Sequence, residues 1–118
     1  MPASTQETEF VAYVLELMHP LGPIRAKRMF GGHGVFLDDL MLALIVDGIL
    51  YLKTDARTQS EFTARGLNAF SYIRRNREVR LSYHQAPEEA LENAEDMRLW
   101  AGKARQASLR AASGRNGK

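Results

Sequence analysis

Cysteine is absent from all 118 residues, and this removes a disulfide framework, a thiolate nucleophile and a cysteine-based zinc site at once. Long apolar runs are missing too. The longest, LMLALIV from Leu40 to Val46, falls far short of the roughly 20 residues a membrane-crossing helix needs. The first ten residues, MPASTQETEF, have neither the basic start nor the apolar stretch of a signal peptide. Histidine is scarce, at positions 19, 33 and 84 only. A metal site would have to recruit Asp38 or Asp39 beside them, and no metal is assigned. What remains is a soluble, cytoplasmic chain with no membrane segment. It is sized for one domain over 1–118, with a core over about 5–112 and a flexible tail at 113–118.

Net charge is only +2, yet it comes in blocks. Residues 1–23 carry acids and no Lys or Arg, and 24–83 carry an excess of bases. Residues 84–97 are purely acidic among charged positions, and 98–118 purely basic. Such blocks suit either a polyanion-binding face or mutual pairing across the fold.

Ser4 with Glu7 forms a capping-box pattern ahead of Phe10, Val11, Val14, Leu15 and Met18 at helical spacing. His19 to Pro23 (HPLGP) then stops that helix. From Ile24 the period shortens to two. Ile24, Ala26, Arg28 and Phe30 share one strand face; Arg25, Lys27 and Met29 share the other. Three further strands follow, VFL, LMLALIV and ILYLK, turned at Asp38-Asp39 and at Asp47-Gly48. Thr54 or Asp55 is the expected cap of a second helix, with Phe62 inward and Gly66 as its left-handed stop. AFSYIRR and EVRLSY form a hairpin around Asn76, and Pro87 opens a short helix, PEEALEN. A last helix spans about 94–112, with Trp100, Ala104, Ala107 and Ala111 inward. The order α-β4-α-β2-α predicts an α+β two-layer sandwich, an antiparallel sheet with helices. LMLALIV is apolar on both faces: Leu40, Leu42, Leu44 and Val46 on one, Met41, Ala43 and Ile45 on the other. The second face needs a cover, the chain's own helices or another subunit, and a homodimer is expected.

The stretch MFGGHGVFL, Met29 to Leu37, invites a functional reading. A dinucleotide fingerprint needs glycines that open a helix, whereas Gly31, Gly32 and Gly34 lead into a strand. A phosphate loop needs a lysine and a hydroxyl residue, which are lacking here. His33 has no nucleophile or second ligand close in sequence. A cleft beside it remains the place for a small-molecule or catalytic function. Otherwise the stretch is a hairpin or bulge whose glycines supply positive φ or close packing. No catalytic residue and no cofactor is assigned.

The segment MFGGHGVFLDDLMLALIVDGILYLKTD, with FSYIRR, LSYHQAPEEAL and Trp100 after it, closely resembles the N-terminal domain of the TfoX/Sxy family, over roughly residues 8–112. Its signature loop is Met29, Phe30, Gly31, Gly32, His33 and Gly34. The resemblance implies a secretion-chaperone-like α+β fold and a non-enzymatic regulator of competence genes, those for DNA uptake. Full-length regulators add a C-terminal helical domain, so a stand-alone N-terminal domain is expected. A chaperone-like protein-binding adaptor is the alternative. Two basic clusters, Arg25, Lys27 and Arg28, then Arg74, Arg75, Arg77 and Arg80, are candidate contacts for a protein partner or, weakly, nucleic acid, with Tyr72 or Tyr83 as added stacking. Alternatively the second cluster pairs with Glu88, Glu89 and Glu92.

Overall fold

The computed structural model describes residues 5–29 and 31–116. Helix α1 (Thr5–Met18) opens the chain, and a short 3-10 helix at His19–Leu21 ends it, with Pro20 in its first turn. Ser4, the expected cap, lies outside the described residues. Strands β1 (Ile24–Met29), β2 (Gly32–Leu37), β3 (Leu40–Val46) and β4 (Ile49–Lys53) follow as an antiparallel meander. Helix α2 (Gln59–Thr63), β5 (Ala69–Arg74), β6 (Arg77–Gln85), a 3-10 helix at Glu88–Leu91 and α3 (Ala94–Asn116) complete the chain. The sheet runs β1-β2-β3-β4-β6-β5, so β6 crosses back beside β4 and leaves β5 at the edge. The α+β two-layer reading holds.

Turn chemistry sets the hairpins. Asp47 and Gly48 take φ of 54° and 74°, and Arg75 and Asn76 take 53° and 64°. Positive φ at both central residues matches the right-handed twist of the flanking strands. Three boundaries differ from the sequence reading. The second helix begins only at Gln59, because Asp55 closes a turn of its own, accepting from the backbone N–H of Arg57 at 3.1 Å and from the Thr58 hydroxyl at 3.3 Å. Pro87 stands outside the 3-10 helix rather than opening it, in extended backbone with ψ of 152°. The last helix continues to Asn116, past the expected end at 112.

The core lies between the helices and one face of the sheet. Val14, Met18, Leu42, Ala43, Leu52, Phe62, Met97, Ala101 and Ala104 are fully buried there. Helix α3 lies on β3 and β4, its alanines allowing close approach; α1 packs on α3 and β1, and α2 meets β6. Strand β3 departs from simple alternation. Val35 pairs with Ala43 but Phe36 with Met41, which leaves Leu42 as an extra, bulged residue. Leu42, Ala43 and Ile45 therefore join the helix-side core, while Met41, Leu44 and Val46 join a second cluster. The expected grouping of Leu42 with Leu44 is thus corrected by one bulge.

A buried-edge ion pair ties the end of α3 to the turn before α2. Arg110 donates through Nε to Asp55 Oδ2 at 2.6 Å and through Nη2 to Oδ1 at 3.1 Å. This fork, with the Arg57 amide and Thr58 hydroxyl, holds the Asp55 carboxyl down to about 2 from its ordinary 3.8. A lowered carboxyl contributes stability above the unfolded value, and that stability disappears as pH falls through the folded one. Arg110→Gln should therefore destabilise the protein at neutral pH. The gap between variant and parent should close as pH drops from about 3.8 towards about 2, read by urea unfolding at each pH.

Candidate functional site

The glycine-rich stretch is mostly strand. Gly32, His33 and Gly34 lie within β2, with Gly32 opposite Met29, so only positions 30 and 31 connect the strands. Phe30 lies outside the described residues. Gly31 has φ of +74°, a left-handed conformation that side chains resist. Gly32 has ordinary backbone but sits against β3: a Cβ there would lie 2.1 Å from the Ile45 carbonyl oxygen. Gly34 leaves room for the sulfurs of Met29 and Met41 on the side away from the helices. The stretch is a backbone device: one glycine supplies positive φ and two supply close packing.

His33 faces α1. Its Nδ1 is sealed from solvent without a hydrogen-bond partner among the described residues, 3.7 Å from Glu7 Oε2. Beside it a hollow of about 370 Å³ is lined by Gln6, Glu7, Phe10, Gly31, Asp47 and Gly48. Among the described residues that line it there is no serine, threonine or lysine. Asp38 and Asp39 sit at the far end of β2. Among the described residues no three His, Cys, Asp or Glu side chains gather where they could hold a metal ion.

The other side of the sheet is more distinctive. Its apolar cluster consists of strand residues only, with Leu44, Phe70 and Tyr83 buried and Met41, Val46, Tyr51, Tyr72 and Leu81 half-buried around them. The rings interlock: Tyr51 meets Phe70 edge-on at 5.1 Å, and Tyr72 tilts against Phe70 at 6.1 Å. By strand alternation this open face carries Arg25 and Lys27 from β1, Lys53 from β4, and Arg74 and Arg77 at the far hairpin. Glu78, the one acid in any strand, points to the opposite side. Arg25 lies over the Phe36 ring at 4.9 Å and Lys53 over Tyr83 at 5.0 Å. Burial pushes the Tyr83 hydroxyl up to about 12, and burial with nearby Asp47 raises Tyr51, so neither phenol ionises to offset the cations. Because β1 and β5 are the two edges, cations stand about 24 Å apart across five strand spacings, with an aromatic centre between.

The two basic clusters are thus split by the pleat. Arg25, Lys27, Arg74 and Arg77 reach the open face; Arg28 and Arg80 are on the helix side, and Arg75 is in the turn. The expected pairing of the hairpin arginines with Glu88, Glu89 and Glu92 does not form. Glu89 is held by Arg65 in a two-pronged contact at 2.6 and 2.7 Å, and Arg80 meets Glu78 loosely at 3.9 Å. Arg74, Arg75 and Arg77 reach no acid among the described residues. The C-terminal bases do compensate, since Lys103 pairs with Glu61 at 2.8 Å and Arg110 with Asp55. Sequence inspection points to Tyr72 and Tyr83 but misses Phe36, Tyr51, Lys53 and Phe70. The signal lies in the alternation of β4, β5 and β6 around Leu44, hidden by the bulge.

The family model of the TfoX N-terminal domain matches residues 16–108, the larger part of the chain and every strand of the sheet. The chain belongs to the TfoX N-terminal domain family. Within this TfoX N-terminal domain, the match takes in both the glycine stretch and the open face. The chain is also similar to the DNA transformation protein TfoX1 of Aliivibrio fischeri, 29% identical over 68 residues. That alignment covers 58% of this chain and 32% of the relative, so the matched segment spans about a third of that protein's length. No helix among the described residues is long and apolar enough to cross a membrane.

Proposed function

We propose that this TfoX N-terminal domain is a non-catalytic, cytoplasmic regulator of competence genes, those for DNA uptake. It acts in transcription by docking on a protein–DNA assembly. The apolar centre of the open face takes a protein partner, and its cationic rim lies along phosphates. The observation that carries this reading is a six-stranded face with five cations, no strand acid and a half-buried aromatic centre. The relative named for DNA transformation supplies the process. A second copy seated face to face on this surface would set cations against cations, so a homodimer through it is disfavoured relative to an anionic partner.

A mobility-shift series over several salt concentrations tests the rim. Binding should be weak, indifferent to sequence and steeply salt-dependent. Arg74→Gln with Arg77→Gln should lower the salt slope by about 0.9 for each phosphate no longer neutralised. No binding of duplex DNA even at low salt would overturn the phosphate rim. The reading would then be a protein-binding adaptor, which is favoured by one observation: Arg25 and Lys53 already cover Phe36 and Tyr83, leaving those rings closed to bases.

A further inference from the structure

On the helix side, the sheet comes apart where β5 meets β6. Ala69 pairs with His84 and Ser71 with Arg80, a step of two residues on one strand against four on the other. The mismatch opens a groove between α2 and the hairpin, made of two adjoining hollows of about 570 and 400 Å³. Both hollows are lined by Thr63, Ala69, Arg80 and His84. Small-ligand sites span about 300–1,000 Å³.

His84 is 6% exposed and built in from below. Its Nδ1 is 2.8 Å from the hydroxyl of Thr54, which is itself buried and has no other acceptor among the described residues. The threonine O–H therefore donates to Nδ1, since the reverse would leave a buried hydroxyl proton without an acceptor. The ring is then neutral and carries its proton on Nε2. That nitrogen has no protein partner among the described residues and is not sealed from solvent, so its N–H meets the groove. Burial lowers the basicity of this ring, in keeping with a neutral donor. The Phe62 ring at 5.8 Å supports its other side.

We propose that this groove binds the phosphoryl group of a small phosphorylated ligand, held by His84 Nε2–H and the Arg80 guanidinium. Arg80 is available, because its only ion-pair contact among the described residues is Glu78 at 3.9 Å with both side chains more than half exposed. Ser71 and Ser82 also border the groove, as does Thr63, whose hydroxyl already donates to the Ser60 carbonyl at 3.4 Å. The His84 N–H, the Arg80 fork and the Ser71 and Ser82 hydroxyls together exceed what the two oxygens of a carboxylate would use and suit the three terminal oxygens of a phosphoryl group. Glu78 is the one acid along the lining, and it competes with the ligand for Arg80. Tyr51 and Leu81 of the open-face cluster also border the groove, but the proposal does not rest on the transcriptional reading.

The test is titration with inorganic phosphate, adenosine monophosphate and acetate at matched ionic strength, followed by calorimetry and by ¹⁵N resonances of the His84 ring. Expected is saturable binding of phosphate or the nucleotide with a shift at His84 Nε2, and none with acetate. Tighter binding of the nucleotide assigns an organic phosphate, and tighter binding of phosphate assigns the free anion; either supports the phosphoryl site. Arg80→Gln should weaken binding about tenfold, and Glu78→Gln should tighten it. Both positions are exposed, so neither change threatens the fold. The proposal is overturned by equal binding of acetate, by a silent His84 ring, or by an affinity that Arg80→Gln leaves unchanged.

Discussion

Gly32→Ala should cost about 3 kcal/mol or more, because the single added carbon would sit 2.1 Å from the Ile45 carbonyl oxygen. That oxygen belongs to the backbone of a central strand, so no rotamer can relieve the clash. Gly31→Ala faces open space and should cost about 1–2 kcal/mol, the strain of a left-handed backbone alone. Gly34→Ala meets the sulfurs of Met29 and Met41 at 2.9 Å and Met29 Cε at 3.1 Å, atoms towards the ends of flexible side chains, and should be the mildest of the three. Urea unfolding of the three variants checks the order. A Gly32→Ala protein as stable as the parent would show that β2 and β3 are not held at this distance.

Phe62→Ala should cost about 3–5 kcal/mol, the loss of a fully buried ring plus the cavity it leaves. The ring meets Trp100 edge-on at 5.3 Å and His84 at 5.8 Å, so one substitution loosens α3, α2 and β6 together. Helix α2 has five residues and cannot stand alone; Phe62 is its buried anchor. The single tryptophan reports directly, because its emission should change in the folded variant even before unfolding is measured. Phe62→Leu keeps much of the volume and should cost about 1 kcal/mol. Equal stability of the alanine variant and the parent would contradict the packing described for this helix.

Local chemistry explains what was legible in the sequence. The Asp47-Gly48 turn, the Pro20 stop and the helical spacing of Val11, Val14 and Met18 each depend on a few neighbouring residues, and the structure follows them. Non-local contacts explain the rest. Gly32 and Gly34 look like loop residues because glycine packs poorly in strands. They are strand residues because β3 and two methionines need the space. The bulge at Leu42 left no mark in an all-apolar run, where an extra residue breaks no visible alternation. The arginines of the hairpin are close to Glu88, Glu89 and Glu92 along the chain. Yet Glu89 folds back to Arg65, and pairing of β6 with β4 sends the hairpin the other way. The open face was half legible: two of its tyrosines and its edge cations stand out in the sequence, but their convergence required the strand order.

That strand order also fixes how the molecule can come apart. The meander from Ile24 to Lys53 pairs only strands adjacent in sequence, and such contacts close short loops at small entropic cost. Strand β6 must return from the far end of a long excursion, and it pairs with β4 over only three residues, Tyr51, Leu52 and Lys53. Backbone hydrogen bonds from Thr54 N–H to the Ser82 carbonyl and from Ala86 N–H to the Leu50 carbonyl flank that pairing. The β5–β6 hairpin is therefore the least tethered cooperative unit of the sheet, the one whose opening breaks the fewest long-range pairings. It carries Arg74 and Arg77 on one side and Arg80 and His84 on the other. Any occupant of either side clamps the same hairpin, so the two sides are thermodynamically linked through one movable element, without a contact between their occupants.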